Sequence, residues 1–160
     1  MLFRSIGSAA DPEVRQSVDL MASFYDALNI ELKPRYSNWP EFLKRLDRNE
    51  TQMFRLAWII DYPDAQNFLQ LFYSKNASPG PNHANYSNPE FDRLYEQILV
   101  MQDTPARTAL YRQMANIVVE DCPWIFMTHP LSFGLFQPWL KNFKPHDFPY
   151  PNIKFYRVEE

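Results

Sequence analysis

Leu56-Ala57-Trp58-Ile59-Ile60-Asp61-Tyr62-Pro63-Asp64-Ala65-Gln66-Asn67-Phe68 is the stretch on which the reading of this chain turns. An apolar strand runs straight into a carboxylate, a turn and a new helix, and such junctions are where α/β proteins put ligands. In open α/β sheets the binding crevice lies beyond the carboxyl ends of the strands, so Asp61 is expected at a site, delivered there by a rigid element. Asp64 follows Pro63 where a helix cap is wanted, ahead of a helix expected from Asp64 through Phe72.

Outward from this stretch, three helices are marked by a polar residue followed by proline: Asp11-Pro12, Asn88-Pro89 and Thr104-Pro105. Proline at the first helical position has no amide to waste, and the preceding side chain can accept a bond from an orphan amide. The apolar stripes behind these starts are Val14, Val18, Met21, Tyr25 and Leu28, then Phe91, Leu94, Tyr95, Ile98 and Leu99, then Leu110, Met114, Ile117 and Val118. All three are expected to pack on a sheet. A shorter helix is expected from Asn38 or Trp39 through Leu46, with Phe42, Leu43 and Leu46 inward.

Strands are expected at Ile30 to Tyr36, with Pro34 setting that strand near an edge, and at Met53 to Ile60, whose nearly continuous apolar character suits a strand covered on both faces. Trp124 to His129 and Leu131 to Phe136 read as a pair interrupted by Pro130, and Asn152 to Val158 closes the chain. The order β-α-β-α-β-α-α-α-β-β-β, with βαβ units early, argues for an α/β fold with a mixed sheet flanked by helices. Lys75 to Ser87 and Lys144 to Pro151 read as long loops.

The chain's 160 residues suffice for one well-filled core, and a single domain over 1–160 is expected. Aromatic residues make up 16% of it, which fits a thick core or a ligand-facing wall. The net charge of -3, with both signs interleaved, argues against a nucleic-acid partner. The lone Cys122 excludes an internal disulfide and reads as a small buried core residue. No run approaches a membrane span.

Catalytic machinery is not visible. The histidines His83, His129 and His146 are scattered without a ligand at helical metal spacing, so no metal is expected, and three glycines cannot make a phosphate loop. What remains is Trp58 and Tyr62 as flat apolar surfaces beside a single anion, Asp61. Such a site suits a cationic group on something extended and partly apolar, for which a peptide amino terminus or an amine-bearing small molecule qualifies.

Trp58-Ile59-Ile60-Asp61-Tyr62-Pro63-Asp64, then Asn82 and Tyr86, then Asn88-Pro89-Glu90-Phe91-Asp92, then Arg107-Thr108-Ala109-Leu110-Tyr111, resemble in order and spacing the C-terminal part of the extracytoplasmic solute-binding proteins of family 5. These are the oligopeptide- and dipeptide-binding proteins of ABC importers. The resemblance runs from about Val14, through Trp39-Pro40-Glu41-Phe42, to Val158, and Ala65 stands where many relatives have a second proline.

The resemblance implies a type II periplasmic binding protein fold of two lobes that close over the ligand, of which 1–160 would be a C-terminal lobe fragment whose N-terminal lobe is missing. It implies that Asp61 pairs with the free α-amino group of a bound peptide, that Trp58 lines a side-chain pocket, and that the peptide backbone is held as an added strand. Tyr62 joins Trp58 in the aromatic wall. Asn82 and Tyr86 on the following loop are further ligand-binding candidates, with loop anchoring as the plainer reading. The implied partners are the peptide, the ABC permease subunits in the membrane and the missing lobe, with no cofactor. The implied location is periplasmic or extracytoplasmic, free or lipid-anchored, with any signal upstream.

Members of the family also carry nickel complexes, haem, opines or sugars, so a non-peptide solute is the alternative ligand. A carboxylate-dependent hydrolase using Asp61 and Asp64 is the rival from another class. A third reading, a degenerate fragment without binding function, predicts exposed apolar surface where the missing lobe belonged.

Overall fold

Parallel strands β1 (Leu2–Gly7) and β2 (Glu31–Tyr36) pair from Leu2 opposite Glu31 to Gly7 opposite Tyr36, and helix α1 (Pro12–Asp26) makes the crossover between them. This is a βαβ unit, as the element order implied, with a first strand at 2–7 that the sequence pattern did not place. The structure, a computed structural model, describes residues 2–7, 12–129, 131, 133–143 and 152–159. Helix α1 turns the expected stripe inward, with Val18 buried and Val14, Met21 and Tyr25 half-buried, while Leu28 lies past the helix end and is exposed. The end is made by Asn29, whose φ of 57° is a left-handed conformation that asparagine tolerates. The amides of Leu28 and Ile30 return to the Tyr25 carbonyl.

Helix α2 (Trp39–Asp47) starts where Asn38 accepts a bond from the Glu41 amide at 3.0 Å, and it buries Phe42 and Leu46 against Phe54. Helix α3 (Gln66–Leu69) runs on into a tight 3-10 turn, Gln70–Phe72. Helices α4 (Pro89–Leu99) and α5 (Pro105–Asp121) begin as expected. Asn88 accepts from the Glu90 and Phe91 amides at 2.9 and 3.1 Å, and Thr104 accepts from Arg107 at 3.3 Å. The core forms between these two helices and the segment 69–73. Phe91, Ile98 and Met114 are fully buried there, and Phe72 lies between the rings of Phe91, Tyr86 and Trp124.

The expected sheet is smaller than the sequence suggested. Among the described residues, the sheets are the β1–β2 pair and an antiparallel pair of β3 (Leu140–Lys141) with β4 (Arg157–Val158). The apolar runs 53–60, 124–129 and 131–136, with 130 and 132 outside the described residues, join no ladder. A strand is completed by a neighbouring segment's amides and carbonyls, and among the described residues these runs have none beside them. Residues 152–158 give a 3-10 turn, Asn152–Phe155, before the two residues of β4. Helix α1 does pack on a sheet, but α4 and α5 pack on each other and on 69–73, because their stripes find apolar partners there first.

The loop after 74 is ordered around Asn82, and a Cβ at Gly80 would lie 2.5 Å from the Asn76 carbonyl oxygen, so only glycine fits that turn. Cys122 is not core. It is exposed and closes α5 at a φ of 47°, because the chain must reverse there to carry Trp124 back onto Phe72. The expected loop 144–151, with His146, and the Asp11 cap lie outside the described residues.

Candidate functional site

The extended run 53–60 reaches the site with Trp58 seated half-buried on the α4–α5 core, and the turn 61–65 then reverses into α3. Asn67, on the first turn of α3, is 1% exposed and holds both flanks of that turn. Its Oδ1 accepts from the Trp58 indole Nε1 at 2.8 Å and from the Asp61 amide at 3.2 Å, while its Nδ2 donates to Asp61 Oδ2 at 3.1 Å. These bonds admit only one orientation of the amide, since a flipped Asn67 would set its donors against two N–H groups.

Asp61 is itself exposed, and among the described residues it has no cationic partner. Tyr62 stands beside it 40% exposed; its hydroxyl donates to Gln66 Oε1, and the Gln66 amide donates onward to the Tyr95 hydroxyl. The arrangement is a lone anion at the rim of an aromatic surface, held by a buried amide from beneath.

Asp64 has a different role. Oδ1 accepts from the Gln66 amide at 2.9 Å, the cap the sequence suggested, and from the Tyr111 hydroxyl at 2.6 Å, while Oδ2 pairs with Arg107 Nη1 at 2.7 Å. Burial acts to raise the Asp64 pKa, but the bonds from Tyr111, the Gln66 amide and Arg107 outweigh it and hold the carboxyl below its ordinary value. Burial and the bond to Asp64 push the Tyr111 hydroxyl well up. Arg107 also donates through Nε to the Ile98 carbonyl at 3.2 Å, so one side chain ties the turn to α5 and to the end of α4. With its charge compensated and both oxygens bonded, Asp64 is not available as a partner for Asp61 in acid–base chemistry.

The structure brings Trp58, Asp61 and Tyr62 to one turn. Asn82 and Tyr86 are engaged elsewhere. Asn82 is fully buried, donating to the Tyr73 and Tyr86 carbonyls at 3.1 and 2.9 Å and accepting from the Tyr86 amide at 3.2 Å. Tyr86 packs edge-on against Phe72 and Phe91, and its hydroxyl donates to Asp121, whose bond adds to burial in raising the Tyr86 pKa. These bonds anchor the 75–87 loop.

Sequence reasoning passed over Asn67. The available signal was its place four residues before Leu71, on the inward face of the expected helix, where an amide needs buried partners.

No family model matches the sequence. The chain is 25% identical over 142 residues to heme-binding protein A of Haemophilus influenzae, covering 89% of this chain and 26% of that protein. It is 29% identical over 133 residues to di/tripeptide-binding protein 2 of Pseudomonas aeruginosa, covering 82% and 25%. Among solved structures, the oligopeptide-binding protein AppA from Bacillus subtilis, in complex with a nonapeptide, superposes with a TM-score of 0.78 over 99% of this chain and 32% of its own, at 19% identity. The chain thus spans about a quarter of the length of the curated relatives it matches, and those relatives are binding proteins rather than enzymes. Its fold is that of the type II periplasmic binding proteins, in part. The chain is thus similar, over about one quarter of their length, to di/tripeptide- and oligopeptide-binding proteins.

Proposed function

We propose that this chain forms one wall of the solute site of an ABC importer's extracytoplasmic receptor, and that Asp61 reads the free α-amino group of a peptide. The observation that carries this is the contrast between the two carboxylates of the turn: Asp64 has its cation, Arg107, and Asp61 has none among the described residues. A carboxylate pinned on one oxygen by Asn67 and open on the other, beside Trp58 and Tyr62, suits an ammonium group followed by an extended, partly apolar chain. Peptide-binding relatives support the same ligand class. The second lobe, the permease subunits and a periplasmic location belong to the same proposal.

The test is a heteronuclear NMR titration of the chain with trialanine and with N-acetyl-trialanine, following the Trp58 indole and Asp61 amide resonances, because NMR detects the weak binding of an open cleft wall. We expect trialanine to bind about fivefold more tightly than the acetylated form, the upper range for an exposed ion pair, and Asp61→Asn to abolish that preference. Equal binding of both peptides would refute the role of Asp61. Binding of neither, with saturable binding of haemin, would favour a non-peptide solute, a reading for which the similarity to the Haemophilus influenzae protein speaks.

A further inference from the structure

We infer that Asn67 is the positioning residue of this site: a buried side-chain amide that sets both the carboxylate that meets the ligand and the aromatic ring beside it. The inference rests on the reading of Asp61 as the ligand's anion and extends it to a residue that itself touches no ligand. Three bonds from one amide reach two elements of the site: the indole Nε1 of Trp58, the backbone of Asp61 and the carboxylate of Asp61.

Asp61 is a rim residue with a rotatable side chain, and a free carboxylate there would sample several rotamers at a cost to any partner that needs one of them. The Asn67 Nδ2 bond to Oδ2 selects one rotamer and leaves Oδ1 without a protein partner among the described residues. The bond that the Asn67 Oδ1 accepts from the Trp58 indole does the same for the ring, and both lone pairs of the Asn67 oxygen are used. Since Asn67 is 1% exposed and sits on a helix, the position it imposes is rigid. Deleting Asn67 should therefore alter which ligands are preferred, beyond any effect on folding.

Two variants separate these effects. Asn67→Asp keeps the acceptor for Trp58 and the Asp61 amide but cannot, when ionised, donate to the Asp61 carboxylate. Asn67→Leu, of similar volume, removes all three bonds and remains informative if the first variant does not fold. Each is titrated with trialanine and N-acetyl-trialanine, after urea unfolding has shown a cooperative transition.

The expected result is that the preference for the free amine, about fivefold in the native chain, falls to near one in either folded variant. The Trp58 indole resonance should keep its bonded position in Asn67→Asp and lose it in Asn67→Leu. In an Asp61→Asn background, neither substitution should change the preference further, the non-additivity expected of coupled groups. A preference that is unchanged, or that rises because a second negative charge has been added, would overturn the positioning role while leaving the role of Asp61 intact. Equal binding of both peptides by the native chain would overturn both.

Discussion

Asp61 and Asp64 lie three positions apart, and their surroundings give them opposite roles. Asp64 is drawn into a bonded cluster with Arg107 and Tyr111 that fastens the turn to α5, and Asp61 is left at the rim on the Asn67 amide. The lowered pKa of Asp64 has a definite sign for stability. A carboxyl whose folded pKa is depressed contributes stability above its ordinary titration range, and that contribution is lost as pH falls through the depressed value. Asp64→Asn should therefore be less stable than the native chain by about 2 kcal/mol at neutral pH, the range for bonds to a charged group. The difference should shrink toward zero in acid, below the usual carboxylate range. Urea unfolding at a series of pH values checks this, and a difference that did not change with pH would show that the charge of Asp64 is not what stabilises the turn. At this scale the place of Asp61 just past an apolar run and the capping role of Asp64 were legible in the local pattern. Arg107 and Tyr111 were noticed only as parts of a motif, since nothing local says that a residue 43 positions downstream closes on Asp64.

The starts and inward stripes of α4 and α5 were readable because their signals are local: a cap, a proline and a stripe within a few residues. Their coupling goes further than the caps. Asn88 caps α4 with its oxygen and, through Nδ2, donates at 2.8 Å to Asp121 at the far end of α5, where the Tyr86 hydroxyl also donates. Asn88→Ala should cost about 1 kcal/mol for the cap alone, and more than Thr104→Ala, whose threonine makes one cap bond at 3.3 Å to the amide of Arg107 and has no such partner across the helices. Paired denaturant melts would decide between them; equal losses would mean that the Asp121 contact contributes nothing. The strands were less legible for a physical reason. An apolar run such as 53–60 states only that it can be buried, and whether it enters a ladder depends on another segment presenting its backbone alongside. Residues 2–7 and 31–36 find each other across α1; among the described residues, those of the runs 53–60, 124–129 and 131–136 find no such neighbour.

Across the whole molecule the apolar surface is unevenly covered. The α4–α5 interior is closed, although Leu99, Val100 and Val119 stand exposed at its margin, whereas Leu131, Phe133 and Leu135 are 85, 90 and 101% exposed, and Ile125, Phe126 and Trp139 are each more than half exposed. Apolar residues gathered at this density on one stretch mark a surface that another body covers. The alignments cover about a quarter of the length of the curated relatives. The isolated chain should accordingly enhance the fluorescence of an apolar dye in its native state and associate as concentration rises. Replacing Phe133 and Leu135 by serine should reduce the dye signal without lowering the unfolding midpoint. Dye binding that required partial unfolding would place the apolar surface in the core instead.

The sequence by itself determined the starts and caps of α4 and α5, the inward faces of α1, α4 and α5 apart from Leu28 and Leu99, and the junction that sets Asp61 at the end of an apolar run. All of these depend on residues within one or two helical turns of each other. Only the tertiary structure decided that Asp64 is paired with Arg107 while Asp61 has no cation beside it among the described residues, that Asn82 and Tyr86 anchor their loop, that Cys122 is exposed, and that Asn67 lies beneath the turn of Asp61. Each of those outcomes depends on which distant side chain or backbone group fills the remaining space, and no local pattern carries that information.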